Sequence, residues 1–112
     1  EPSDNDDEKS RQHQAWKTIQ QSHSIANGLP LLCCNRTGHE AVAHSQIDFW
    51  GTSFVTDSFG KIIASATSNQ NCVLLASIDL DETRTTRATW PFFRDRRIDS
   101  YDGLVKPSLN KI

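Results

Sequence analysis

Between residues 7 and 27, apolar, aromatic and imidazole side chains recur at spacings of three and four, at Trp16, Ile19, His23 and Ala26. That period places them on one face of a helix. The acidic residues before it, Asp4, Asp6, Asp7 and Glu8, form a solvated opening segment and suit the positive end of a helix macrodipole. Gly28 offers a left-handed stop, and Pro30 prevents the helix from resuming. The pattern predicts a helix over 7–27 with His23 as a hydrogen-bonded core histidine. His13, near the start, is expected to be solvated.

Beyond the helix the pattern changes. Residues 29–35 read as a short buried strand, and 36–46, aperiodic and holding Gly38, as a loop. Residues 47–56 are rich in aromatic, β-branched and threonine residues and predict a strand. Asp57-Ser58-Phe59-Gly60 puts Asp and Gly at the first and last positions that a type I turn favours. With a second strand over 61–67 this makes a hairpin, closed off by the polar turn Ser68-Asn69-Gln70-Asn71. Residues 72–78 are nearly continuous apolar sequence, the mark of a strand covered on both faces. Asp79 and Glu82 stand at capping-box spacing and predict a short helix to Thr89. An irregular tail follows, with Phe92, Phe93 and a basic cluster.

Four strands with helices on one side define an α+β layer. One layer leaves a sheet face uncovered, and the apolar run at 72–78 argues that a further layer exists. Composition agrees. Hydrophobic residues make up 36% of the 112, low for a self-contained globule of this length. The chain has no methionine and opens Glu1-Pro2-Ser3, so the expectation is a piece of a longer protein whose other half supplies the missing surface.

A net charge of −2 gives no global field for nucleic acid or an anionic membrane, and no apolar run approaches a membrane span. The expectation is therefore no nucleic-acid partner and no membrane partner. Cys33, Cys34 and Cys72 are odd in number and lack a framework spacing, which points to reduced thiols and a cytoplasmic location.

Several residues tempt a chemical assignment. Cys33 and Cys34 are adjacent, so on a strand they face opposite sides and at most one could enter a pocket. Buried cysteine is usually a small hydrophobe. The same adjacency spoils a zinc site with His39 and His44, because the thiols diverge. Gly51-Thr52-Ser53-Phe54-Val55 lacks the second glycine and the following helix of a nucleophile elbow. Arg94, Arg96 and Arg97 among aromatics suit single-stranded nucleic acid. Asp95 interrupts them, however, and Arg–carboxylate pairing within an ordered tail is the preferred reading.

Four passages then fall into register. Ala26-Asn27 with Pro30, followed by Cys34-Asn35-Arg36-Thr37-Gly38, is the first. Phe49-Trp50-Gly51-Thr52-Ser53-Phe54 with Gly60-Lys61-Ile62 is the second. Asp79-Leu80-Asp81 and then Trp90 to Arg97, ending Phe-Arg-Asp-Arg-Arg with Tyr101 beyond, complete the set. Together they resemble the nitrilase superfamily of carbon–nitrogen hydrolases, in its N-carbamoylputrescine amidase branch. Thr52 and Ile98 depart from the usual Asn and Pro.

The resemblance implies the C-terminal part of an αββα sandwich and a cofactor-free, metal-free amidase acting on a small carbamoyl amine. Its Glu–Lys–Cys catalytic set would lie upstream of Glu1, so no catalytic residue is assigned here and the chain alone is expected to be inactive. β-Ureidopropionase-type activity and a non-catalytic interaction remnant are the alternatives. A homo-oligomer is also implied. Substrate-binding roles are expected for Glu1, at the family's Ser-Glu-Pro passage, and for Asn35 and Arg36, in a loop just past a strand end where sites commonly lie.

Overall fold

A computed structural model describes residues 5–107, so Glu1 lies outside the described residues. Helix α1 spans Asp6–Asn27. Asn5 caps it by accepting from the Glu8 N–H at 2.8 Å, and Asp6, Asp7 and Glu8 fill its first turn. Gly28, at φ 55°, ends it in the left-handed conformation and donates to the Ile25 carbonyl at 3.1 Å.

The packed face of α1 differs from the expected one. Trp16 is half-buried, but Ile19 is 53% exposed, and His23 and Ala26 are also exposed. His13, Gln21 and Ser24 face the sheet instead. The reason is chemical. What lies against the helix is loop backbone with carbonyls to satisfy, and polar side chains do this. Gln21 donates to the Gly60 carbonyl at 2.8 Å, and Ser24 Oγ lies 2.6 Å from the Leu29 carbonyl and 2.8 Å from that of Asp57.

Strands β1 (Leu31–Cys33), β4 (Phe54–Thr56) and β5 (Ile62–Ser65) form an antiparallel sheet in the order β1-β4-β5. The central strand holds the core. Phe54 is 1% exposed and Val55 6%. The predicted turn joins β4 to β5: Gly60 donates to the Asp57 carbonyl, and Asp57 Oδ1 accepts from the Phe59 and Lys61 N–H groups.

Residues 36–46 do not form a loop. Strand β2 (Thr37–Val42) pairs antiparallel with β3 (Ser45–Trp50) in a separate two-stranded sheet. Both faces of this hairpin are largely wet, so its sequence carries no alternation for periodicity to detect. The strand expected over 47–56 is correspondingly divided. Gly51 (φ 57°) and Thr52 (φ 49°) turn the chain between the two sheets. Only glycine fits at 51, because an added Cβ would sit 2.5 Å from the Ser68 carbonyl oxygen.

Residues 72–78 form no strand, contrary to expectation, and Val73 and Leu75 are 88% and 84% exposed. An apolar run becomes a strand only where a neighbour supplies the ladder, and no strand among the described residues pairs with it. Helix α2 (Leu80–Thr89) begins where Asp79 accepts from the Asp81 N–H at 2.9 Å. The buried Ser58 and Thr83 hydroxyls meet at 2.8 Å and fix α2 to the 57–60 turn. In the tail, Trp90 packs edge-on against Phe59, Arg94 pairs with Asp95 and Arg97 with Asp99, and two short 3₁₀ turns follow. The fold class is α+β, with five strands in two sheets among the described residues.

Candidate functional site

Asn35 follows β1 and is held by the chain it faces. Its N–H donates to Ser53 Oγ at 2.8 Å, and its Oδ1 accepts from the Arg36 N–H at 2.9 Å. Beside it opens a cleft of about 570 Å³ between the first half of α1 and strand β3. Lys9, His13 and Trp16 line it from the helix, and Asp48 and Trp50 from the strand.

Three rings build one wall. The centroids of His13 and Trp16 lie 6.0 Å apart, those of His13 and Trp50 5.4 Å, and those of Trp16 and Trp50 6.0 Å. Trp16 also meets the core residue Phe54 edge-on at 5.8 Å, which anchors the wall to the main sheet. His13 Nε2 stands 2.8 Å from Thr52 Oγ1. Burial, and then the charge of Lys17, hold its pKa below the ordinary histidine value, so the ring favours the neutral form. The expectation of a solvated His13 fails because Thr52, on the turn between the sheets, reaches back to it.

A hydroxyl against an imidazole is the first half of a nucleophilic constellation. Here no hydrogen bond among the described residues orients the other ring nitrogen. The contact acts as a clamp on the left-handed turn at Thr52.

Among the described residues, two formal charges line the cleft. Asp48 Oδ1 lies 2.6 Å from His39 Nδ1 across the β2–β3 ladder. That hydrogen bond chiefly draws its pKa down, against slight desolvation, and the nearby charges of His39 and Lys9 add to it. Asp48 therefore stays ionised at neutral pH. Lys9 supplies the cation, and no salt bridge ties it down among the described residues.

The structure separates the expected site residues. Asn35 lines the cleft. Arg36 does not: its NH1 is 2.6 Å from Glu40 Oε2, and its guanidinium lies 4.5 Å from the centre of the Phe49 ring. Cys33 is half-buried, with burial, and then Cys34, pushing its thiol pKa up, the wrong direction for a nucleophile. His39, considered as a metal ligand, is engaged by Asp48.

The sequence matches the carbon–nitrogen hydrolase family over residues 3–88. The chain belongs to that family. It is 43% identical, over 94% of its length, to an N-carbamoylputrescine amidase of Oryza sativa subsp. japonica, covering 35% of that protein. It is 38% identical, over 81% of its length, to a citrullinase of Francisella tularensis subsp. tularensis, covering 32% of it. The crystal structure of a carbon–nitrogen hydrolase from Helicobacter pylori G27 superposes with a TM-score of 0.88 and 45% identity, over 96% of this chain and 38% of that one. The chain thus spans about a third of the length of the curated relatives it matches. The fold is an α+β portion of a carbon–nitrogen hydrolase.

Lys9, His13, Trp16, Asp48 and Trp50 escaped the sequence reading as site residues. The available signal was Trp16 together with Trp50, two large aromatics on elements that had already been placed. Without the β2–β3 hairpin nothing showed that they meet.

Proposed function

We propose that the chain is the C-terminal part of an amidase that hydrolyses a linear N-carbamoyl amine, N-carbamoylputrescine, to the amine, carbon dioxide and ammonia. The observation that carries this is the 43% identity to an N-carbamoylputrescine amidase across almost the whole chain. In this reading a cysteine thiolate, with its Glu and Lys, lies outside the chain and attacks the carbamoyl carbon; the departing nitrogen takes a proton, and water then cleaves the thiol-bound carbonyl. The chain contributes pocket wall. Asn35 is its best-placed member, with Arg36 bracing the hairpin beside it. Glu1 pairs with the ammonium at the far end of the substrate, since a buried cation requires a partner.

A second reading has its own support. The citrullinase relative, at 38% identity, favours a ureido substrate that ends in an amino acid. On either reading we place the protein in the cytoplasm, on the strength of its free cysteines, and as a homo-oligomer joined through the aromatic tail.

The test is ammonia release by the full-length protein, with the 112-residue chain assayed in parallel. Turnover of N-carbamoylputrescine by the full-length protein, and none by the chain alone, is expected. Turnover confined to N-carbamoyl-β-alanine would move the assignment to a β-ureidopropionase. No release from any ureido compound refutes the amidase reading.

A further inference from the structure

The β1–β4 ladder stops short of the cleft. Its last opposed pair is Cys33 with Phe54, and on the β4 side the chain has just come through the left-handed Gly51 and Thr52. Asn35, two residues past that pair, has no strand residue to complete a rung. A side chain replaces it. Ser53 Oγ accepts from the Asn35 N–H at 2.8 Å and donates to the Asn35 carbonyl at 3.3 Å, which uses its one proton and one of its two lone pairs. Ser53 is itself fixed, because its carbonyl accepts from the Ala66 N–H at 2.8 Å. One residue on, Gly51 donates to the Arg36 carbonyl at 2.9 Å.

The consequence falls on the Asn35 amide. Its Oδ1 accepts from the Arg36 N–H at 2.9 Å, and only the oxygen of the amide can accept, so this bond decides which end of the side chain faces the backbone. No hydrogen bond among the described residues takes the two Nδ2 donors, although Asn35 is half-buried and lines the cleft. Two N–H donors held at a cleft wall suit an acceptor, and the acceptor of a ureido group is its carbonyl oxygen. Ser53 does not line the cleft, so any effect it has on a ligand passes through Asn35.

We propose that Ser53 is a positioning residue, holding Asn35 so that its Nδ2 donors meet the carbonyl oxygen of a ureido ligand. This rests on the amidase reading above, in which Asn35 is pocket wall, and deepens it by naming what Asn35 contacts and what sets it in place.

The test is a double-variant cycle on the full-length protein. The Kd of butylurea, a neutral ureido probe, is measured by calorimetry, and KM and kcat by ammonia release from N-carbamoylputrescine. Asn35→Ala should weaken butylurea about tenfold and Ser53→Ala about fivefold, the range for a neutral hydrogen bond lost or misaligned. The double variant should bind no worse than Asn35→Ala alone, because a residue that acts through Asn35 then has nothing left to position. KM should rise by the same factors while kcat stays within about twofold, the mark of a contact made equally by bound substrate and transition state. Ser53→Thr keeps the hydroxyl and should restore affinity. Ser53→Cys keeps the size but offers only a weak donor and acceptor, and should show the alanine loss even if Ser53→Ala fails to fold.

Unchanged affinity in Ser53→Ala and Ser53→Cys overturns the proposal, and so do losses that multiply in the double variant. The two readings fail separately. The non-additive pattern with butylurea, without ammonia release, sustains the positioning role and refutes the amidase. Ammonia release with a KM indifferent to Ser53 does the reverse.

Discussion

Replacing Ser24 with alanine removes the polar junction beneath α1. Ser24 is 2% exposed, and its hydroxyl lies within hydrogen-bond distance of the Leu29 and Asp57 carbonyls while accepting from Thr56 Oγ1 at 2.9 Å. The single hydroxyl proton is shared between two acceptors, so their contributions do not simply add. What alanine leaves behind decides the magnitude: two carbonyls and a buried threonine hydroxyl each lose a partner where water has little access. One buried group left unsatisfied costs about 1–3 kcal/mol. Both carbonyls retain a second lone pair, and Thr56 Oγ1 still accepts from the Leu31 N–H at 3.2 Å, so about 2 kcal/mol is expected rather than a threefold sum. In a folded unit of roughly 300 residues, the size of the relatives, this lowers Tm by about 3 °C. The measurement is thermal unfolding of the full-length protein, with Ser22→Ala as the control. Ser22 lies on the exposed face of the same helix and bonds only to Ile19 of its own turn, so its loss should stay within about 0.5 kcal/mol. Equal, small shifts for both variants would show that the junction does not hold the helix to the sheet.

Thr52, a β-branched residue at φ 49°, should gain about 0.5–1 kcal/mol of stability when replaced by asparagine in a His13→Ala background, where its hydrogen bond to the imidazole is already absent; a fall in the urea midpoint on adding Thr52→Asn there refutes the strain argument. Ala43 is the first residue of the two-residue loop joining β2 to β3 and has φ 51°, so Ala43→Gly should likewise raise that midpoint. His13 has a folded pKa below its unfolded value, so the folded state binds fewer protons across the titration; stability should fall as pH drops through the ordinary histidine range near 6.5, and His13→Gln should flatten that slope. Asp48 is depressed chiefly by its bond to His39, so its contribution is present above the ordinary carboxylate range and is lost as pH falls through its lower folded pKa. Asp48→Asn should remove that more acidic component, as seen in unfolding curves recorded at stepped pH.

The elements that the sequence made legible are those with local chemical signals. The start of α1 carries its acidic turn, Gly28 its stop, Asp57 and Gly60 their turn, and Asp79 its cap, and each does locally what its residue type suggests. The β2–β3 hairpin had no such signal, because a strand with two wet faces needs no alternation. The run at 72–78 shows the opposite failure. Its composition describes a strand covered on both faces, but a ladder is a property of two segments and cannot be read from one.

The same distinction explains the site. Asn35 lines the cleft from just past β1, a strand-end position of the kind where sites commonly lie. Arg36 was credited with the same location one residue later, yet Glu40 and the ring of Phe49 draw its long side chain onto the hairpin, away from the cleft. The face of α1 was misplaced because hydrophobic periodicity assumes that a helix packs through apolar side chains. Ser24 and Gln21 pack through hydrogen bonds to turn carbonyls, and that choice rotates the helix. The rotation has a functional consequence. It turns His13 and Trp16 toward Trp50 and sets Lys9 on the cleft that Asp48 also lines. A helix seated on Ile19 and Ala26 would present a different stripe to β3, and Lys9 and Asp48 would not line the same cleft from its two sides. The polar junction at Ser24 is therefore a positioning feature for the cleft as well as a stabilising one, so a disturbance there should reach the Trp16–Trp50 contact, read as a change in tryptophan fluorescence, as well as Tm.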